Sequence, residues 1–483
     1  MISFFDHPWT GTISEVAARV GGKGASLWAM TTQLGLPVPP GFTIGTEHAA
    51  TGLTDALFAE ILTALGQVGD RLGRTYGDPK NPLLVSVRSG ASISMPGMMD
   101  TILNVGMTDV MLGSFGDAAF ARTIHEAFLD QFGRAVPDYD RAILDDPHAI
   151  LRAAITAVFE SWNSPRAISY RKREGITDTC GTAVTIQAMV FGNCDAQSGT
   201  GVAFSRDPST GAPHATGDWL REAQGEAVVG GTHATSPLSA LADDDPVSHD
   251  ALTAALMKLE RYYRDMVDVE FTIERGQLWI LQARPGKRSP AAAARIAHDL
   301  VNDLRIALSL DEAILRMPAS ILDGSLTITR RDDDSVAVAH GLGVSPGLVT
   351  GQVALDCDSA IDMADAGNSV ILVRSETSPE DVHGMGVSVG ILTSSGGMMS
   401  HAALVAREWG IAAVCGADIN IADKSFTAGP VRIKAGETVS IDGSTGEVFL
   451  GTVHGAPVTD PYVETMRRWA AEFSQQEKHY GQA

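Results

Sequence analysis

The chain has 483 residues, of which 36 are basic and 58 acidic, so its formal net charge is −22 at neutral pH. At roughly 100–200 residues per domain, this length suggests about three domains. A hydrophobic fraction of 44% with only 19% charged residues is typical of folded chains with buried cores and excludes wholesale disorder. The acidic balance argues against nucleic acid as the main partner, but it allows a local basic pocket for a small phosphorylated ligand.

The cysteines and the N-terminus limit the class of protein further. Cys180, Cys194, Cys357 and Cys415 are far apart and none belongs to a CxxC pair, so we expect neither a disulfide framework nor a structural zinc site. The N-terminal sequence MISFFDHPWTG lacks the features of a signal peptide, and no apolar run approaches the ~20 residues that span a bilayer. We therefore expect a soluble, cytoplasmic protein with no membrane contact.

The first two thirds of the chain mix helical and strand patterns. In chain order we expect a helix at 24–34, a strand at 83–88, mostly helical structure from about 109 to 172, strands at 182–191 and 200–205, a hairpin at 267–284 and a helical arm from Ala291 to about Leu315.

The charged, unpatterned segment Arg330–Ser335 is the main predicted boundary. After it, short apolar strands alternate with glycine turns and one clear helix, which indicates a compact β/α domain ending near Gly451. One amphipathic helix is expected in the tail, around Val463–Phe473.

Two basic residues near glycines are candidate phosphate ligands. Lys23 lies in Gly-Gly-Lys-Gly at 21–24, which is not a Walker A motif because no Ser or Thr follows the lysine. Helix-start amides still favour anions, although a solvated lysine in a turn is the alternative. Arg88 ends a strand before a glycine-rich loop, a position suited to polyphosphate or to a surface ion pair.

The hairpin at 267–284 has an alternating polar face. A three-residue turn, Arg275–Gln277, would place Glu270 opposite Gln282 and Asp268 opposite Arg284, whereas a two-residue turn would separate these pairs. With the longer turn, oxygen ligands and an arginine converge in a way that suits Mg²⁺ shared with phosphates. A polar, solvated hairpin face is an equal alternative.

His401 follows the segment Ser395–Ser400 and opens the predicted helix 401–409. A neutral imidazole there is a competent nucleophile, and a phosphoryl group on it would meet backbone N–H groups and the positive end of the helix dipole. The alternative is a histidine that only makes a capping hydrogen bond.

Taken together and in order, these segments resemble pyruvate, phosphate dikinases. The motifs that carry the resemblance are GGKGASL at 21–27, PVPPGF at 37–42, SVRSGASISMPGMMDT at 86–101, AVFESWNSPRAISYR at 157–171, QAMVFGN at 187–193, GTGVAFSRDPSTG at 199–211, EFTIERGQLWILQARPGKR at 270–288 and GGMMSHAALVAREWG at 396–410. Several long matches in one order are far more specific than any single motif.

The resemblance implies an α/β and α+β multidomain protein with an ATP-grasp-like nucleotide-binding domain and a swivelling β/α phosphohistidine domain. The expected boundaries are 1–290 for the nucleotide domain with its helical insert, 291–339 for the arm and linker, 340–455 for the phosphohistidine domain and 456–483 for a helical tail.

In that family ATP and phosphate give AMP, pyrophosphate and a phosphohistidine, whose phosphoryl group then passes to pyruvate to form phosphoenolpyruvate. By the motif matches His401 would be the phosphoryl carrier, with Arg88 and Arg284 as the other catalytic residues. The matched nucleotide-binding residues are Lys23, Arg88, Gln187, Met189, Val190, Asp268, Glu270, Gln282 and Arg284. Glu270 and Gln282 would hold Mg²⁺, and the segment 187–190 would present backbone groups to adenine.

Two departures from the family pattern affect the functional interpretation. Met399 stands where the family usually has threonine, and the family's barrel domain for pyruvate and phosphoenolpyruvate is not expected within this sequence. The expected acceptor is therefore pyruvate in a separate barrel chain, or some other small molecule or protein. The alternatives are a non-catalytic ATP-binding module and a phosphotransferase for another small molecule. The intact set of candidate residues argues against the non-catalytic module.

Overall fold

The computed structural model describes residues 1–480 except 92, 94, 96–97, 114, 116, 177–180, 226–234, 325, 327 and 332–333. Two compact units are present. The first comprises Met1–Ser198 and Phe271–Ala283, and the second comprises Gly199–Glu270 and Arg284–Ala483. The boundary between them passes through both strands of the hairpin near residues 270 and 283. The predicted domain boundaries near 290 and 340 stay predictions, because compactness alone does not show which segments fold independently.

The first unit is a sheet packed against helices. Its helices are Ile13–Trp28, continued by a π-helical turn at Ala29–Gln33, then Asp55–Leu72, Ala118–Ala135, Pro147–Glu160 and Pro165–Glu174; its strands are β1 (Ile2–Phe4), β2 (Gly41–Ile44), β3 (Val85–Gly90), β4 (Thr101–Val105) and β5 (Ala183–Ala188).

Strand β5 lies at the centre of that sheet, in the order β1-β2-β5-β3-β4. It is antiparallel to both β2 and β3, and every one of its residues is buried. The apolar core of this unit includes Ile61, Phe128 and Ile155 from three of the helices and Ile186 from β5. A strand with neighbours on both sides and helices over it is buried throughout, and this burial includes its polar residues Thr185 and Gln187.

The second unit contains the rest of the chain. Its helices are Leu238–Asp244, Pro246–Tyr263, Pro290–Asn302, Leu310–Leu315, Ala319–Leu322, Cys357–Asp365, Val382–Val387, His401–Trp409 and Pro461–Tyr480. Two strands, β9 (Val267–Glu274) and β10 (Gln277–Pro285), form the hairpin and are divided between the two units. The other strands of the second unit are β6 (Gly199–Phe204), β7 (Thr216–Arg221), β8 (Ser236–Pro237), β11 (Ile328–Arg331), β12 (Ala339–His340), β13 (Leu342–Ser345), β14 (Leu348–Ala354), β15 (Val370–Arg374), β16 (Gly390–Thr393), β17 (Ala412–Cys415), β18 (Asn420–Ala422), β19 (Ser425–Ala428), β20 (Val431–Lys434), β21 (Thr438–Asp442), β22 (Glu447–Leu450) and β23 (Gly455–Val458).

Parallel strands form the middle of the large sheet of the second unit, whose order is β12-β22-β21-β14-β15-β16-β17-β13. Strands β14 to β17 run parallel to one another in this order. The carboxyl ends of β15 and β16 therefore meet at one edge of the sheet. The loops that follow them, 375–378 and 394–400, begin at that edge and carry the polar residues described below.

Helix starts in this chain follow the capping rules. Thr12 and Ser309 each form a capping box with the glutamate three residues later, and Ser289 caps a helix whose first residue is proline. Such caps satisfy amide groups that have no partner inside the helix. The first helix therefore begins at Ile13, well before the predicted 24, because the capping signal at Thr12 was not included in the prediction.

The other expected elements are confirmed with specific differences. The helical region 109–172 and the strands near 83–88, 182–191 and 200–205 are present. The predicted arm is interrupted after Asn302 by a turn in which Ala307 has φ 48°.

The first two residues of the predicted boundary segment form part of a β-strand. Arg330 and Arg331 belong to β11, which pairs with β23, because strand pairing at the two ends of the β/α domain outweighs their charged character. Residues 332 and 333 of the same segment lie outside the described residues.

No helix within the described part of the chain is long and apolar enough to span a membrane.

Gly21→Ala is expected to destabilise the protein much more than Gly52→Ala. Both glycines have positive φ, 71° and 67°, so each substitution carries a left-handed backbone cost of about 1–2 kcal/mol. A Cβ on Gly21 would also lie 1.8 Å from the carbonyl oxygen of Gly90, whereas a Cβ on Gly52 meets no atom within 4 Å. Urea unfolding should show a further loss of at least about 2 kcal/mol for Gly21→Ala, and equal losses would contradict this close approach.

Candidate active site

Lys23 lies just after a break in the first helix. Gly21 has φ 71° and ψ 165°, values outside the helical region, so the helix is kinked and a new helical segment begins beside Lys23. The Gly22 amide donates to the Ala91 carbonyl (2.9 Å), and Lys23 Nζ donates to the Ser89 carbonyl (2.8 Å). The lysine is therefore held at the carboxyl end of β3, as its predicted position at a helix start requires.

Arg88 lies on β3, next to the carbonyl that Lys23 contacts. Its Nη2 donates to Gln282 Oε1 at 3.4 Å. The first unit thus brings together two cations and the amide side chain predicted to bind metal.

The segment predicted to contact adenine forms the end of β5 and the residues after it. The amides of Ala188 and Met189 donate to the carbonyls of Pro40 and Leu84, each at 2.9 Å, and the Gln187 side-chain amide donates to Pro39. The adenine contact stays a prediction. In this conformation it would have to use backbone groups of 187–190 other than the Ala188 and Met189 amides, which already donate to Pro40 and Leu84.

The turn of the hairpin is shorter than predicted. Strand β9 ends at Glu274 and β10 begins at Gln277, so the turn consists of Arg275 and Gly276, and the prediction of a three-residue turn was wrong. Both turn residues have positive φ, 52° and 74°, the conformation that matches a two-residue turn to the twist of its strands.

The register expected from a three-residue turn was therefore wrong, but Asp268 and Arg284 still form an ion pair. Arg284 Nε donates to Asp268 Oδ2 at 2.9 Å. The Asp268 side chain is completely buried, and burial raises the pKa of its carboxyl against the opposing effect of Arg284. Burial also acts to lower the pKa of Arg284, but Asp268 and Glu270 outweigh it and raise that pKa. The guanidinium is therefore fixed and charged.

Glu270 and Gln282 supply oxygen donors of the kind that Mg²⁺ prefers. Asp268 Oδ1 is buried and has no hydrogen-bond partner among the described residues, and a bound cation or its water would satisfy such an atom. No cluster of three or more His, Cys, Asp or Glu side chains suited to a metal occurs in the described ranges. Because Gln282 is in the first unit and Glu270 in the second, their joint role as ligands stays a prediction.

His401 is the first residue of its helix. Ser400 caps that helix by accepting from the Ala403 amide (3.3 Å). Burial lowers the pKa of His401, while Asp381 and Glu380 act in the opposite direction. A neutral imidazole at the positive end of a helix dipole is the state a nucleophile needs.

Thr377 contacts this imidazole and was missed by the sequence prediction. Its Oγ1 lies 3.0 Å from His401 Nδ1, and this contact does not involve the other ring nitrogen, Nε2. The signal was present in the sequence: Thr377 follows β15 as His401 follows β16, and parallel neighbours bring the two loops to one edge.

The loop before His401 is held by two charged residues that were also missed. Asp218 Oδ2 accepts from the Met398 amide at 3.0 Å, and the Arg407 guanidinium donates to the Met398 carbonyl. Arg407 is completely buried, and burial lowers its pKa to about 10.

Comparison with known proteins identifies the family of this chain. Residues 50–251 and 239–303 match the family model described as pyruvate phosphate dikinase, AMP/ATP-binding domain. Residues 367–446 match the PEP-utilising enzyme, mobile domain. The chain belongs to the pyruvate, phosphate dikinase family. The resemblance and the predicted fold class are thereby confirmed.

Curated members of the dikinase family align along most of the chain. The chloroplastic pyruvate, phosphate dikinase of Flaveria trinervia is 41% identical over 94% of this chain and 54% of its own length. Pyruvate, phosphate dikinase 2 of Zea mays is 40% identical over 89% of the chain and 55% of its own length. For pyruvate, phosphate dikinase 1, chloroplastic, of Arabidopsis thaliana the values are 41%, 93% and 53%. The chain spans about half the length of these relatives.

Asp268→Ala is expected to lower the free energy of unfolding by about 2–4 kcal/mol, because it removes the fully buried carboxylate that is hydrogen-bonded to Arg284, whose side chain is 24% exposed. Asp6→Ala is the matched control, since it removes a carboxylate from an exposed pair with Arg71 and should cost less than about 1 kcal/mol. Urea unfolding measures both, and similar losses would contradict the assigned role of burial.

The pKa of His401 is expected to lie below 6.5, its unperturbed value. Since the unfolded chain then binds the proton more readily, the stability contributed by the neutral ring is complete above pH ~6.5. It is lost as the pH falls towards the lower pKa of the folded protein. An NMR titration of the imidazole signal, assigned by its absence in His401→Gln, measures this pKa. A midpoint above 6.5 would mean that Asp381 and Glu380 outweigh burial.

Proposed function

We propose that this chain carries out the ATP-dependent half-reaction of a dikinase, in which ATP and inorganic phosphate give AMP, pyrophosphate and phospho-His401. The observation that carries the proposal is the neutral, helix-capped His401, whose Nδ1 is held by Thr377. Family membership and the match to the PEP-utilising mobile domain support it.

In the first step His401 Nε2 attacks the β-phosphorus of ATP. The bond between the β-phosphorus and the oxygen bridging it to the α-phosphate breaks, and AMP leaves. Inorganic phosphate then attacks the γ-phosphorus, so that pyrophosphate leaves and one phosphoryl group stays on His401. Throughout, the ring keeps its proton on Nδ1, which donates to Thr377 Oγ1. The helix N-terminus stabilises the new negative charge.

The cations of the first unit would bind and align the triphosphate. Lys23 and Arg88 are both fixed through contacts at the end of β3. Phosphoryl transfer depends mainly on alignment and on neutralisation of charge, so two positioned cations contribute without acting as acids or bases. In the same proposal, backbone groups of Gln187, Met189 and Val190 face adenine.

The hairpin would supply the remaining charges. Asp268 holds Arg284 in one orientation, so that its guanidinium can contact a phosphate without first being ordered. Glu270 and Gln282 would hold Mg²⁺, which when bound neutralises phosphate oxygens and favours in-line geometry.

The second half-reaction needs an acceptor. We propose that phospho-His401 passes its phosphoryl group to pyruvate, or to another acceptor, bound outside this chain. The names of the relatives support pyruvate as the first acceptor to test.

Incubation with Mg²⁺, phosphate and ATP labelled at the β-phosphate tests the proposal. We expect acid-labile label on the protein together with release of AMP and unlabelled pyrophosphate formed from the γ-phosphate. His401→Asn should abolish labelling, because it removes the nucleophile, whereas His340→Asn, which changes an exposed histidine of β12, should retain it.

Three results would contradict the half-reaction: ADP as the sole nucleotide product, label that survives His401→Asn, and nucleotide binding without AMP formation. The last would favour the non-catalytic ATP-binding module. Addition of pyruvate to the labelled protein then asks whether label moves to phosphoenolpyruvate without a second chain.

A further inference from the structure

The side chain of Met399 packs away from the sheet that carries His401. Only 3% of Met399 is exposed, and it belongs to an apolar cluster formed with Val202 and Phe204 of β6 and with Val463 and Met466 of the C-terminal helix. The cluster also includes alanines of the arm helix Pro290–Asn302. Met399 therefore joins the loop before His401 to elements that lie outside the β/α domain.

The neighbouring residues of that helix behave differently. Ala402, Ala403 and Ala406 pack into the core of the β/α domain itself. Leu404 contacts the same outside cluster as Met399. One face of the helix and its loop therefore packs on the domain, while the other packs on a cluster formed by β6, the arm and the C-terminal helix.

Polar contacts hold the same loop on both sides of Met399. Asp218, on β7, accepts from the Met398 amide, and a Cβ on Gly397 would lie 2.6 Å from the Asp218 carboxylate. The Arg407 guanidinium contacts the Met398 carbonyl and lies 5.4 Å from the centre of the Phe204 ring. These contacts fix the direction of the loop, and Met399 supplies its buried apolar surface.

The apolar surface of Met399 favours it as the main anchor. Complete burial of a methionine side chain is stabilising because its whole apolar surface is removed from water. A threonine in its place would bury less apolar surface and would need a partner for its hydroxyl. Because Met399 is two residues from His401, this energy acts directly on the position of the imidazole.

We propose that Met399 is a positioning residue, which anchors the loop before His401 against β6 and the arm and so favours the arrangement in which His401 accepts a phosphoryl group from ATP. The catalytic part rests on the proposed function. The structural part, an anchored loop, does not.

Hydrogen exchange of the whole chain tests the anchor without reference to activity. In Met399→Thr we expect amides of 396–404 to exchange about 10-fold faster, because the loop leaves the cluster more often. Met399→Leu keeps the apolar volume and should restore slow exchange. Met111→Thr, which changes a methionine buried in the core of the first unit, is the matched control and should leave 396–404 unchanged. Unchanged exchange in Met399→Thr would overturn the anchor.

Labelling kinetics test the positioning role. At saturating ATP, Met399→Thr should lower the initial rate of His401 labelling about 10-fold while KM for ATP changes less than about 2-fold, since the cations of the first unit are untouched. Met399→Leu should recover the rate. Faster exchange with an unchanged labelling rate would overturn positioning. Absence of labelling in the unsubstituted protein would instead contradict the proposed function, and the exchange result would still decide the anchor.

Discussion

The backbone N–H and the backbone C=O of Met398 each form a hydrogen bond with a charged side chain. Asp218 accepts a hydrogen bond from the Met398 amide, and Arg407 donates one to the Met398 carbonyl. The Arg407 side chain is completely buried. Buried charges are tolerated only when they are satisfied by hydrogen bonds or opposite charges, so this arrangement requires β7, the loop and the helix to keep their positions. The direction of Met399 and the placement of His401 both follow from it.

The hairpin meets the same requirement in another way. Asp268 is completely buried and pairs with Arg284, which in turn stays charged because Asp268 and Glu270 are near. The buried charged side chains of this acidic protein are stabilised by ion pairs or hydrogen bonds with specific partners. A net charge of −22 is therefore compatible with a local cationic site for phosphate, because the bulk charge lies elsewhere on the chain.

Much of the fold could be predicted from the sequence, since apolar periodicity and glycine or proline positions are local signals. The helix His401–Trp409 has the predicted bounds. The predicted length of the hairpin turn was wrong because it depends on whether Arg275 adopts a positive φ. Residues other than glycine rarely do so, and the composition of the turn does not reveal it. Thr377 and Asp218 were missed because they reach His401 or its loop from other elements of the fold. Arg407 was missed because its contact with the Met398 carbonyl depends on the backward course of the loop over its own helix. Met399 was noticed only as a departure from the family pattern, since its burial in an outside cluster requires the three-dimensional arrangement.

The parallel pairing of β15 and β16 has a consequence for proton placement. Thr377 and His401 follow adjacent strands of one sheet, so the contact between the hydroxyl and Nδ1 is made entirely within the β/α domain. Its geometry needs no residue from any other part of the chain. In the proposed reaction, Nε2 would therefore be the reacting nitrogen both when His401 is phosphorylated and when it gives up the phosphoryl group.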